Sequence, residues 1–413
     1  MSLDSLSMIL VARLNEMREK GISKGPEHII SGTKPAADGS GPRCYLEGYG
    51  NREFLRMNSN SYLGLSLHPE VIAAEEKAAR EFGTGPGAVR FISGTYGPHV
   101  QLESRLAEFH GRQAAMIFNA AYAAIMGVLP QLITDKTIVL SDTLNHNCII
   151  NGVRLARPAR KYVYRHLDMT DLEAKLHACI GNAKRLLVVS DGIFSMRGDF
   201  VPLHELTAIC HQYEEHFAEG IVTIIDDSHG IGAFGQSGRG VEEFTGSRAD
   251  ILVATLGKAL GVNGGYVVAD KSVIDYLRET AQFYVYSNPI TPSEAAAASQ
   301  ALALLDGPVG QEMLVRLRSL TRRFEVGLLQ MSLEIIEGEH PIVPLMIRDT
   351  EKTTALVQYL FEHGILATGL NYPVVPEGDQ EIRFQVSASH TEQDIDFVLN
   401  VLDGFSDYLH NSL

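Results

Sequence analysis

The sequence predicts an α/β protein whose larger part is a mainly parallel sheet covered by helices on both faces, followed by a smaller α+β domain. Three observations predict it. From about residue 69 onward, short apolar runs alternate with helical patterns, the order that a doubly covered parallel sheet needs. The runs themselves are apolar almost throughout, as strands buried on both faces are. Near residues 295 to 330 the chain turns long-helical, and strands and helices then alternate once more to the C-terminus.

The elements follow in order. "MSLDSLSMILVARLNEMREKG" opens the chain and reads as an amphipathic helix packing on the body or on a partner; residues 40 to 58 read as a hairpin leading into the large domain. "PEVIAAEEKAAREF" and "HVQLESRLAEFH" place apolar residues at three- and four-residue spacing and predict amphipathic helices. Strands are expected at "AMIF", "TIVLS", "RLLVVS", "IVTIIDD", "ILVATL" and "GGYVVAD". The helices "SEAAAASQALALL" and "QEMLVRLRSLTRRFEVGLLQM" come next, followed by the strand "PIVPLMI", the helix "TTALVQYLFEHG", the strand "EIRFQVS" and a closing helix. The expected division is an N-terminal helix and hairpin segment over 1–55, a large domain over 56–305 and a small α+β domain over 306–413. No internal repeat or low-complexity tract interrupts it.

Composition narrows the function classes. The 413 residues are 45% hydrophobic and 21% charged, the balance of an ordinary globular protein. A net charge of -15 with no basic block argues against non-specific nucleic-acid binding and against docking on anionic membranes. No stretch approaches the roughly 18 apolar residues of a membrane span. Cys44, Cys148, Cys179 and Cys210 form no CxxC pair and no metal-finger spacing, so a reduced, cytoplasmic chain is expected. The N-terminal stretch lacks the basic start and small-residue end of a signal peptide.

In an open α/β sheet, ligands bind beyond the carboxyl ends of the strands. "IVTIIDDSHG" ends there in Asp226, Asp227, Ser228 and His229; "VVSDGIFS" ends in Ser190 and Asp191 and reaches Ser195; "VLSDTLNH" ends in Ser141 and Asp142 with His146 opening the next helix. "ILVATLGKAL" supplies Thr255 and Lys258. An ammonium at the end of a buried strand costs several kcal/mol (roughly) unless something uses or neutralises it. A Walker loop does not explain it, because that motif needs glycine where Leu252 stands and Ser or Thr where Ala259 stands. "GTGPGAVRFISGTYG" has the wrong spacing for a dinucleotide loop and follows a helix instead of a strand. Taken alone, Asp226 and Asp227 suit a cation site or helix capping equally well, and His146 alone suits a capped or core histidine.

Together these strand ends meet one chemical demand. A lysine beside glycines suits a Schiff base with a flat ring. A strand-end carboxylate can keep a pyridine nitrogen protonated and turn the ring into an electron sink. A histidine at a helix start can lie against the ring, and Gly, Ser and Thr near helix N-termini supply donors to a phosphate. These are the requirements of pyridoxal 5'-phosphate. The order, with the Asp about thirty residues before the Lys, fits an aminotransferase-like fold (fold type I).

From about residue 55 to the C-terminus, the chain resembles the α-oxoamine synthase family of pyridoxal phosphate (PLP)-dependent enzymes. "NSYLGL", "VRFISGT", "SDTLNHNCIINGVRL", "DGIFSM", "DDSHGIGAFGQSGRG", "TLGKALG", "YSN", "YPVVP" and "IRFQVSASHT" stand in family order. The resemblance implies a seven-stranded, mainly parallel sheet in the large domain and a role for each matching residue. Lys258 would hold the cofactor covalently, Asp226 would pair with the pyridine nitrogen, and His229 would meet the ring hydroxyl. His146 would stack on the ring and Ser195 would sit beside it. The amides of Ala121 and Tyr122 would meet the phosphate with help from Thr255. Ser287 and Asn288 would reach a phosphate in the partner subunit of a homodimer with shared active sites. Asn60 and Arg383 would hold the substrate, Arg383 as the fork for a carboxylate. No metal is expected.

The implied activity condenses a small amino acid, glycine favoured, with an acyl-CoA, acetyl-CoA favoured, giving a 2-amino-3-oxo product and CoA. Alternatives are another amino acid, a longer acyl chain with decarboxylation, an aminotransferase or aldolase reaction, and a silent partner subunit; the presence of Lys258 argues against the last. The chain departs from the family pattern at the apolar loop "NAAYAA", at Pro289, at Asn263 and at Arg197, where an acidic residue is common. These departures bear on the acyl donor, not on the core chemistry.

Overall fold

The computed structural model describes residues 2–20, 23 and 27–405. The end of the C-terminal region, 406–413, lies outside the described residues, as do Met1, 21–22 and 24–26. A seven-stranded sheet forms the centre, in the order Ala114–Phe118, Gly265–Ala269, Ile251–Thr255, Ile221–Asp226, Arg185–Asp191, Thr137–Asp142, Arg160–Tyr164. Only Gly265–Ala269 runs against its neighbours; the remaining pairs are parallel. Six of the seven strands are the apolar runs visible in the sequence. The seventh, Arg160–Tyr164, is an edge strand with mostly exposed or half-buried residues, so it lacks the apolar signature of its neighbours.

Burial on both faces explains those runs. Leu186, Val188, Ile225, Leu252 and Ala254 face one hydrophobic cluster, while Leu187, Val189, Ile224, Ile251 and Val253 face the other. Helices cover each face. Pro292–Leu305 starts at a capping box, with Thr291 and Glu294 exchanging side-chain and backbone bonds. Its buried Ala295, Ala298 and Ala301 are small enough to let it lie close against Pro69–Phe82.

A second, three-stranded antiparallel sheet orders Ile342–Met346, Glu381–Gln385 and Thr368–Leu370. Its central strand carries Arg383, opposite Pro344 on one side and Thr368 on the other. The N-terminal region differs from the expected hairpin over 40–58. Within it the chain does turn back, Cys44 and Phe54 exchanging two backbone bonds (3.0 and 2.9 Å), but the longer pairing joins Ile30–Lys34 to Arg43–Leu46, and Leu55–Arg56 pairs in parallel with Ile365–Leu366. Phe54 and Cys44 are wholly buried with Leu46 and Leu366, a long-range contact that limits the local pairing to one bridge. The first helix, Ser2–Glu19, has the expected extent, and Leu3, Leu6, Leu10 and Leu14 along it are exposed. Among the described residues no helix is long and apolar enough to cross a membrane.

Candidate active site

The register of the large sheet assembles the site. Asp191 lies directly beside Asp226 at the carboxyl ends of adjacent strands. Asn145 pins the neighbouring strand end, donating to the carbonyl of Val189 (2.8 Å) and accepting from the amide of Asp191 (2.8 Å). Asp191 in turn accepts from the amide of His146 (2.8 Å), which fixes the start of the helix Asn147–Ala156. A cavity of about 260 Å³ opens over these ends, lined among others by Ala121, Tyr122, His146, Asp226 and Lys258. Ser195, His229 and Thr255 line it too. Eight residues singled out from the sequence thus meet around one space.

Asp226 and Asp227 divide their work. Asp226 Oδ1 accepts from the amide (3.1 Å) and hydroxyl (2.5 Å) of Ser228, while among the described residues Oδ2 has only the thiol of Cys148 at 3.5 Å. That oxygen is free to take a ring N–H. Asp227 points away and accepts from the amide of Val241 (2.7 Å). It is packed so tightly that a Cβ on Gly240 would stand 1.9 Å from its Oδ2 and one on Gly230 2.1 Å from its Oδ1. The second carboxylate is a structural anchor.

Burial lowers the Lys258 ammonium to about 8, against the attraction of Asp226 and Asp191. The same burial, with the charge of Asp226, pushes Asp191 well above the ordinary carboxylate range. His229 is buried, and burial together with the Lys258 charge holds it well below the ordinary histidine value, hence neutral. Its Nδ1 is 2.7 Å from the Tyr62 hydroxyl, which commits that nitrogen and leaves the other for a ligand. His340 bonds to the His229 carbonyl (2.8 Å) from below.

One end of the cavity is built from backbone. The helix Ala121–Leu132 begins without a side-chain cap on Ala120, so its first amides are unpaired donors at the cavity wall. Gly265 makes this possible, since a Cβ there would fall 2.2 Å from the amide nitrogen of Ala121. Thr255 donates its hydroxyl to the Gly264 carbonyl (3.1 Å) and accepts from the Gly257 amide (3.0 Å) at the same end. An amine, a floor carboxylate with a free oxygen and a row of free amides fit pyridoxal phosphate.

The remaining expected residues lie outside the cavity. Arg383 reaches it through Ser195, donating Nη1 to that carbonyl (2.7 Å), while its buried Nε has no partner. Asn60 stands behind, accepting from Gln385 Nε2 (3.0 Å) and from the Tyr62 hydroxyl (3.4 Å); it braces the residues around His229. Ser287 is half-buried against Asn119 (2.9 Å) and Asn288 is exposed, and neither lines this cavity. Cys148, Asp191, Ile193 and Ser228 line it without having been assigned a role from the sequence. Asp191 was visible as a strand end; its pairing with Asp226 needed the strand order.

Comparison with known proteins agrees with this geometry. The model of aminotransferase class I and II matches residues 52–402. Human mitochondrial 2-amino-3-ketobutyrate coenzyme A ligase is 39% identical over 398 residues, covering 96% of this chain and 91% of its own. An 8-amino-7-oxononanoate synthase from Thermosipho melanesiensis is 38% identical over 350 residues, covering 84% and 87%. Among solved structures, serine palmitoyltransferase from Sphingomonas wittichii superposes with a TM-score of 0.86 at 27% identity, over 97% of each chain. The match in fold, in length and in relatives leads to one conclusion: the chain belongs to the α-oxoamine synthase family and is a pyridoxal phosphate-dependent enzyme of the aminotransferase-like fold.

Proposed function

We propose that the enzyme joins glycine to the acetyl group of acetyl-CoA, forming a carbon–carbon bond at the amino acid's Cα and releasing CoA. The observation that carries the small-substrate reading is the modest size of the cavity over the strand ends, about 260 Å³, below the usual size of ligand pockets. The extent of the match to human 2-amino-3-ketobutyrate coenzyme A ligase supports the same choice.

When bound, pyridoxal phosphate supplies an electron sink for negative charge developing at Cα. The chain's own residues do the rest. Lys258 would anchor the cofactor and, with its ammonium lowered to about 8, take and return the α-proton near neutral pH. Asp226 Oδ2 would hold the ring nitrogen's proton, and neutral His229 would donate to the ring hydroxyl. The amides of Ala121 and Tyr122, with Thr255, would bind the phosphate. His146, exposed at the mouth, would cover the ring and polarise the thioester carbonyl, and Ser195 would border the ring's edge. Arg383 would take the amino acid's carboxylate on its fork, with Asn60 steadying that side.

Ser287 and Asn288 would complete the phosphate site of a second copy in a homodimer. Their position away from their own cavity and the exposed apolar residues of Ser2–Glu19 support that arrangement. A matrix of amino acids against acyl-CoA chain lengths, read as thiol release, tests the function. Fastest release with glycine and acetyl-CoA is expected; a preference for a longer chain or a larger amino acid overturns the substrate choice.

A further inference from the structure

The strand Glu381–Gln385 turns alternate residues to one side. On that side stand Glu381, Arg383 and Gln385, and each keeps one buried polar atom without a partner: Oε1, Nε and Oε1. Glu381 is 2% exposed, and among the described residues its carboxyl receives no hydrogen bond. A buried carboxyl in that condition is costly unless it is neutral or a cation comes to it. The unpaired donor closest in chain and face is Nε of Arg383, two residues along, and the two side chains attract one another. A second cavity, of about 110 Å³, lies beside them under segment 374–379 and meets the cofactor cavity at Ser195.

We propose that Glu381 is a positioning residue for Arg383: ionised, it draws the guanidinium to itself and competes with the substrate's carboxylate; neutral, it releases the fork to the substrate. The inference rests on Arg383 as carboxylate receptor. Arg383 already spends Nη1 on the Ser195 carbonyl, so the direction of Nε decides whether a two-pronged contact can form.

Burial pushes Glu381 up to about 8, so it changes charge within the working range of most enzymes. The charged groups that face it are Arg383 on its own strand, Arg197 and Asp199 from segment 194–199, and Asp379 from the segment before the strand. Asp199 is held by His166 (3.1 Å) and Arg197 (2.9 Å), and Asp379 by Arg348 (3.3 Å). Burial is the dominant cause; Arg383 and Arg197 pull against it, and Asp379 and Asp199 add to it. Below about pH 8 the neutral carboxyl leaves Arg383 available; above it the anion both holds the guanidinium and repels an incoming carboxylate.

The test measures the dissociation constant of glycine for the holoenzyme, read from the change in cofactor absorbance without acyl-CoA, from about pH 6.5 to about pH 9.5. Wild type is compared with E381Q, with E381M and with R383A. The ratio of wild-type to E381Q dissociation constants should be near one at the acid end and rise to about three- to tenfold at the alkaline end. E381M should follow E381Q, which separates loss of charge from any bond made by the amide. R383A should weaken glycine at every pH. A pH-independent ratio in both Glu381 variants, with R383A weakened, overturns the positioning role and leaves the receptor standing. An unchanged dissociation constant in R383A overturns the receptor reading itself.

Discussion

The floor of the cleft and its far wall are finished to different degrees. On the floor, the side chains are held in place: Asp226 by Ser228, Asp191 by the His146 amide, His229 by Tyr62, and Asn145 across two strand ends through Ser141 and Asp191. On the wall, Glu381, Arg383 and Gln385 each leave a buried atom unsatisfied, a deficit of about 1–3 kcal/mol per group. Asp227 also keeps Oδ1 unpaired, but it sits below the floor, clamped between glycines. The difference teaches which half waits for a ligand. The floor is rigid because parallel strands in fixed register set it, and it suits a permanent cofactor. Of the wall's unmet atoms, Nε of Arg383 is a donor that a substrate carboxylate can take, whereas the oxygens of Glu381 and Gln385 call for donors.

Mutations on the two sides should therefore strike different constants. The largest effect is expected from Lys258→Ala, which should abolish turnover while the phosphate contacts still bind cofactor. Borohydride reduction and peptide mapping of the wild type should label Lys258; a label on another lysine would displace it from the floor's centre. Next, Asp226→Asn should lower kcat about 10²–10³-fold, since a neutral amide cannot hold a protonated ring nitrogen. Asp227→Asn should keep most activity and lose about 1 kcal/mol of stability as the Val241 contact weakens. Equal losses of kcat in the pair would erase the distinction drawn between them.

On the wall, Arg383→Lys keeps charge but loses the fork. The amino-acid KM should rise about ten- to a hundredfold with a much smaller change for acyl-CoA. If kcat falls and KM holds, the wall belongs to the chemistry and the contrast with the floor fails. The smallest effect concerns what supports segment 194–199. His166 bridges Asp142 (3.0 Å) and Asp199 (3.1 Å) and its proton is held up to about 9; burial opposes this and the two carboxylates outweigh it. A raised histidine adds stability that is complete below about pH 6.5 and is lost as pH rises through about 9. Thermal melts should show that loss, on the order of 2 kcal/mol, and His166→Gln should flatten it. Parallel melting curves would mean that the bridge does not secure the segment beneath Arg383.

Much of this was legible in the residues themselves. Buried parallel strands leave unbroken apolar runs, and polar residues at the ends of such runs stand out, so Lys258, Asp226, His229 and His146 could be found one strand at a time. Arg160–Tyr164 could not, because an edge strand has no buried pattern to read. Nor could the hairpin at Ile30–Lys34, because the burial of Phe54 with Leu366 draws the next segment away from it.

What the chain determined by itself is the chemistry at each strand end, since period and composition are local and survive without knowledge of neighbours. What only the tertiary structure decided is adjacency. The strand order sets Asp191 beside Asp226 and turns Asp226, not Asp227, toward the cavity. Packing of the three-stranded sheet against segment 194–199 ties Arg383 to the Ser195 carbonyl, and Gln385 of the same strand to Asn60. Register and sheet packing depend on contacts hundreds of residues apart, and no local pattern encodes which of two faces will meet them.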